Sequence, residues 1–338
     1  MQPSMNLVVY FFQTASFPMM NPFYVPTLAT LFVVLTTPSS VKAEPSSENE
    51  GRIKAYLKRF PNADNDKDGI LTLSELKRHY GNSRKQTQPE KGQQSNLQTN
   101  IRYSTSHERN VLDFYPPRSV AKETPAPLFV WFHGGGFRQG DKSSIGRGGG
   151  KMLKAYQAAG YAVASCNYPF LDIRKGMGYL EIMGHCGRAM QFIRSKADEW
   201  GIDPEKICVG GASAGALISE WLAYSDDLAR KGSKDLIERL SSRPNVAISH
   251  LQPLGTDMLA KPFMDRGEAP LFIYSNAPSS DRLHHPKYAE LIRDRAKQLK
   301  IPCVAVGGGR NSLPTPAEGQ TWLSMQLEFC AKHLGIQQ

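Results

Sequence analysis

Gly211-Ala212-Ser213-Ala214-Gly215 follows the apolar run Ile207-Cys208-Val209-Gly210 and leads into a helical pattern that reaches Tyr224. This Gly-x-Ser-x-Gly form predicts a serine on a sharp strand-to-helix turn, where small neighbours let the backbone bend. Such a turn projects the hydroxyl above a sheet, and the helix behind it aims the positive end of its dipole at the same spot. Upstream, His133-Gly134-Gly135-Gly136-Phe137 follows a second apolar run, Leu128-Phe129-Val130-Trp131-Phe132. Glycines in that position let backbone N–H groups turn toward a charge developing on oxygen. Short glycine patterns occur by chance. Two of them in this order, each after a β-like run, point to strand ends that carry a nucleophile and its oxyanion donors.

Outward from the turn, apolar strand-like runs at 128–132, 161–165, 207–210, 271–274 and 303–306 alternate with helical patterns at 151–159, 187–200, 214–224 and 287–299. This alternation predicts an α/β fold with a mostly parallel sheet and helices on both faces. At 338 residues the chain has room for one such domain and something small beside it. The formal charge of +10 is scattered rather than clustered, which argues against nucleic acid as a partner. Cys166, Cys186, Cys208, Cys303 and Cys330 lack metal-type spacing and are expected as buried thiols, with at most one or two disulfides.

The N-terminal 43 residues read as an export signal. Residues 28–37 are apolar, and Val41-Lys42-Ala43 offers small residues where a signal peptidase needs them. Pro22, Pro26 and Pro38 bracket a run shorter than the ~20 apolar residues of a span, so no transmembrane segment is expected in the mature chain. Residues 44–81 form a second small unit. Its centre is Asp64-Asn65-Asp66-Lys67-Asp68-Gly69-Ile70-Leu71-Thr72-Leu73-Ser74-Glu75, between helical patterns on either side. Residues 82–100 are rich in Gln, Asn, Ser and Lys with almost no apolar side chains, and predict a flexible linker.

Residues 52–80 resemble an EF-hand. The resemblance implies Ca²⁺ held by the carboxylates of Asp64, Asp66, Asp68 and Glu75, the backbone carbonyl of Ile70, and Thr72, with Gly69 making the sharp turn. Only one such loop is present. In an exported chain it implies a structural calcium rather than a sensor.

From about residue 102 to 334 the chain resembles the α/β-hydrolase superfamily, in its carboxylesterase and lipase-like branch with an HGGG oxyanion loop. The matching text includes His133-Gly134-Gly135-Gly136-Phe137, Gly140-Asp141-Lys142, Asn167-Tyr168, Trp200-Gly201-Ile202-Asp203-Pro204 and the Ser213 turn, and it fades after about Asp227. The resemblance implies Ser213 as nucleophile and the N–H groups of Gly135, Gly136 and Ala214 as oxyanion donors, with His133 organising the loop. It places an acid after the strand 271–274, where Asp281 is the carboxylate of the loop and Asp257 a second candidate.

The family's histidine should follow the strand 303–306. The loop there reads Gly307-Gly308-Gly309-Arg310-Asn311-Ser312, with Asn311 where the histidine is expected. A carboxamide cannot take a proton from serine at neutral pH. His333 falls in the terminal helix, where it is expected to pack or cap. His284 and His285 follow Asp281 closely, and either can serve as base from a different strand end, because geometry rather than position defines a triad. They can equally be a non-catalytic loop pair. Two functions follow. One is an exported serine hydrolase cleaving a small ester or an acylated glycan through an acyl-Ser213 intermediate. The other is a catalytically impaired hydrolase-fold binding module. A histidine nitrogen within ~3.2 Å of the Ser213 hydroxyl discriminates between them. The sequence specifies neither the ester nor an oligomeric state.

Overall fold

The computed structural model describes residues 57–58, 63–64, 66–72, 74–75, 97–118 and 124–336. The expected export signal, most of the helical patterns expected on either side of the acidic loop, and linker residues 82–96 lie outside the described residues. The chain divides into two units, residues 1–88 and 89–338.

In the larger unit eight strands form one sheet: β1 (Gln98–Arg102), β2 (Val111–Tyr115), β3 (Ala126–Phe132), β4 (Ala162–Cys166), β5 (Ile202–Ala212), β6 (Val246–His250), β7 (Leu271–Ser275) and β8 (Cys303–Gly307). Their spatial order is β1-β2-β4-β3-β5-β6-β7-β8. The pairs β1–β2 and β2–β4 are antiparallel, and every pair from β4–β3 to β7–β8 is parallel. The helices are α1 (Lys151–Ala158), α2 (Tyr179–Ser195), α3 (Ala197–Trp200), α4 (Ala214–Tyr224), α5 (Thr256–Leu259), α6 (Pro286–Leu299) and α7 (Trp322–His333).

The period of two along each strand divides the core into two layers. On β3, Leu128, Val130 and Phe132 face a cluster that includes Ile182 and Met190 of α2, Leu217 and Ile218 of α4, and Ile292 of α6. Phe129 and Trp131 face the opposite cluster with Tyr156 of α1 and Phe329 and Cys330 of α7. Because both faces are covered, most strands that read as continuous apolar runs are buried, whereas Cys303, Val304 and Ala305 of β8 are half-buried. The expected α/β-hydrolase architecture is the one observed. All five cysteines are free thiols. Among the described residues, no helix is long and apolar enough to cross a membrane.

Three strands escape the hydrophobic pattern. β1 is the polar Gln-Thr-Asn-Ile-Arg at the sheet edge, so the end of the expected linker, residues 98–100, is strand. β2 carries Asp113, whose buried carboxylate pairs with Lys142 at 2.9 Å. β6 ends in Ser249 and His250, both buried. The helix expected over 187–200 begins earlier, at Tyr179, and breaks at Lys196. Its start is marked by the Glu181 carboxylate, which accepts from the Gly178 N–H at 3.0 Å.

Candidate active site

β5 and α4 meet at Ser213, whose backbone has φ 56° and ψ −118°. A non-glycine residue in this region carries about 1–3 kcal/mol of strain, so the surroundings must hold it there. They do so through hydrogen bonds and close packing. The Ser213 N–H donates to the His250 carbonyl at 2.9 Å, and the Ser213 carbonyl accepts from Ala216 at 2.8 Å and Leu217 at 3.2 Å. Gly211 lies against the backbone of Gly215, and Gly215 against the Phe132 carbonyl, leaving no room for a methyl at either place.

The glycine loop is anchored from below by Arg109. Its guanidinium donates to the carbonyls of Tyr168 (2.8 Å) and Gly140 (3.0 Å) and stacks on Phe170 at 3.8 Å. It also lies 3.3 Å from His133 Nε2. Arginine has only donors, so Nε2 accepts and Nδ1 carries the proton, which it donates to the Gly134 carbonyl at 2.7 Å. Burial, helped by the Arg109 charge, pushes the His133 pKa down to about 4, and the ring stays neutral. Tyr168 stacks on that ring and donates its hydroxyl to the His133 carbonyl at 2.6 Å. His133 therefore shapes the loop from its buried side. Among the described residues, the N–H groups of Gly135, Gly136 and Ala214 donate to no protein acceptor.

The loop between β7 and α6 brings the remaining groups. His284 Nε2 lies 3.0 Å from Ser213 Oγ, and His284 Nδ1 lies 3.4 Å from Asp281 Oδ2. The other Asp281 oxygen accepts the N–H groups of Leu283 and His284, each at 2.9 Å. The His284 backbone N–H, followed by its imidazole and the Leu283 N–H, holds the Asp281 carboxyl below its ordinary value. Acid and imidazole thus belong to one tight turn, three residues apart. His285 is not brought to Ser213; its Nδ1 accepts the Lys287 N–H at 3.0 Å and caps α6. Asp257 is exposed in the first turn of α5, and His333 packs on Phe329. Leu254 donates its N–H to the Leu283 carbonyl at 2.7 Å, and both side chains are exposed.

Asn311, where the resemblance places a histidine, is held by backbone groups of the neighbouring loop. Its Nδ2 donates to the carbonyls of Ser275 (2.8 Å) and Ala277 (3.0 Å). Sequence reasoning missed Arg109 altogether, since no local pattern marks a lone arginine that reaches three separate segments. For His285 a signal was present: Pro286 opens α6, which leaves the preceding residue as its N-cap.

In the smaller unit the Asp64, Asp66 and Asp68 carboxylates offer oxygens within 4.8 Å of one another. Gly69 has φ 85°, and its N–H donates to Asp64 at 2.8 Å. Thr72 and Glu75 exchange bonds, Thr72 N–H to Glu75 Oε2 at 3.0 Å and Glu75 N–H to Thr72 Oγ1 at 3.2 Å, the reciprocal pattern of a capping box. Asp64 Oδ1 is buried without a partner among the described residues. The Asp68 N–H holds the Asp66 carboxyl down, but lost hydration and the charges of Asp68 and Glu75 together raise it above its ordinary value. An orphaned oxygen amid crowded carboxylates suits a hard cation.

Residues 112–249 match the family model BD-FAE. Gut esterase 1 of Caenorhabditis elegans is 30% identical over 142 residues, 39% of this chain and 24% of that protein, so the chain spans about a quarter of this relative's length. Among solved structures, a truncated carbohydrate esterase from gut microbiota aligns with TM-score 0.58 and 15% identity, covering 73% of this chain and 99% of that one. An acetyl ester-xyloside bifunctional hydrolase from Caldicellulosiruptor lactoaceticus aligns with TM-score 0.53 and 17% identity, covering 67% and 89%. The chain has the α/β-hydrolase fold, and its central stretch carries the likeness to the carboxylesterase-like members of that superfamily.

Proposed function

We propose that the chain is a serine hydrolase of carboxylic esters. One observation carries the reading: an imidazole nitrogen lies 3.0 Å from the Ser213 hydroxyl, with a carboxylate behind its other nitrogen. That contact favours an enzyme over a binding module. His284 Nε2 takes the Ser213 proton as Oγ attacks the ester carbonyl carbon. Asp281 keeps Nδ1 protonated and stabilises the imidazolium. The N–H groups of Gly135, Gly136 and Ala214 hold the oxyanion, each worth roughly 3 kcal/mol of transition-state stabilisation. His284 then returns the proton to the leaving alkoxide. Water repeats the sequence on the acyl-Ser213 ester, releasing the acid and restoring the serine.

The substrate class we assign is a short-chain ester on a carbohydrate, in line with the carbohydrate esterase and the acetyl ester hydrolase whose folds align with this one. The exposed Leu283, next in sequence to His284, suits an acyl group. The reading extends to export of the chain and to Ca²⁺ in the 64–75 loop, held by Asp64, Asp66, Asp68, Ile70, Thr72 and Glu75. Such an ion would brace that unit and take no part in acyl transfer. A fluorophosphonate probe tests the central step. Wild type should label at Ser213 and Ser213→Ala should not; a folded wild-type protein that resists the probe refutes the reading.

A further inference from the structure

The loop that carries His284 has little packing to hold it. Between Ser275 and Pro286, Ala277 is its one buried residue, while Ser279, Ser280, Arg282 and Leu283 are exposed. The parallel ladder between β7 and β8 ends at the pair Ser275–Gly307, so no strand pairing continues into the loop. Yet a base needs its nitrogen placed to a fraction of an ångström, and a misplacement of about 1 Å can lower turnover about 10²-fold.

Residues 311 and 312 of the neighbouring loop fasten both ends. The Asn311 carboxamide donates one N–H to the Ser275 carbonyl and the other to the Ala277 carbonyl, at 2.8 and 3.0 Å. Its oxygen accepts the Leu313 N–H at 3.1 Å, so the amide is fully engaged. It thus continues by side chain the ladder that the backbone has abandoned. At the far end the Ser312 hydroxyl donates to the Glu290 carboxylate, in the second turn of α6, just beyond the base. Only a carboxamide fits the first position. Aspartate would set a carboxylate against two carbonyl oxygens, and a neutral imidazole has a single N–H.

We infer that Asn311, with Ser312, is a positioning device for the catalytic loop: where the resemblance places the base itself, this chain has a clamp that holds the base supplied by the adjacent loop. The inference rests on His284 being the base. The full-length protein is assayed with p-nitrophenyl acetate, with thermal melts to verify folding. Asn311→Ala should lower kcat by about 10–10²-fold with KM little changed. In a His284→Ala background the same change should cause no further loss. Asn311→Asp, though isosteric, should fall at least as far, and Asn311→His should also lose activity. Ser312→Ala, an exposed change, should lower kcat less and again only where His284 is present. Wild-type kcat in Asn311→Ala, a gain in Asn311→His, or equal losses with and without His284 would each overturn the clamp. Full activity in His284→Ala strikes instead at the assignment of the base.

Discussion

Glu220 lies on α4, two turns after Ser213 and fully inside the protein. Gln252 Nε2 donates to one of its oxygens at a long 3.3 Å, and the other has no partner among the described residues. Loss of hydration raises its pKa from 4.5 to about 7, against smaller opposing effects of Ser249 and Gln252. A folded-state value above the unfolded one means that the native protein binds this proton more tightly. The group therefore favours folding below pH ~4.5, and that contribution is lost as pH rises through about 7. A shift of this size corresponds to on the order of 3 kcal/mol. Glu220→Gln keeps the shape and the Gln252 contact and removes the titration. Urea melts at pH 5 and pH 8 should show a variant within about 1 kcal/mol of wild type at the lower pH and exceeding it by about 3 kcal/mol at the higher. Stability differences that are the same at both pH values would refute the argument.

Other outcomes follow from contacts already described. Gly215→Ala drives a methyl into the Phe132 carbonyl, and should lower stability by about 1–3 kcal/mol in a urea melt while abolishing probe labelling of Ser213. Glu75→Gln should weaken Ca²⁺ binding to the full-length chain by about tenfold or more in calorimetry, and esterase activity should stay unchanged. Unaltered affinity would refute the ligand set.

Much of the fold is legible because parallel strands buried on two faces must be apolar throughout. β3, with Leu128, Phe129, Val130 and Phe132 all fully buried, announces itself. β1 does not, because an edge strand such as Gln-Thr-Asn-Ile-Arg needs only one neighbour and tolerates polar side chains. At the site, Ser213 and the glycine loop are readable because strained backbone demands particular small residues. The imidazole is not readable in that way. His284 and His285 are chemically the same and adjacent, and their different directions come from the turn closed by Asp281 and from the N-cap of α6. Asn311 reads as a defect in a pattern until its two carbonyl partners are seen, since those lie 34 and 36 residues away in the chain.

We propose His284 as the base for Ser213. Steady-state hydrolysis of p-nitrophenyl acetate by wild type, His284→Ala and His285→Ala tests it most directly. A positioned general base contributes about 10²–10⁴-fold, so kcat/KM should fall by that factor in His284→Ala and stay near wild type in His285→Ala. Wild-type turnover in His284→Ala, with the protein folded and Ser213 still required, would contradict the account.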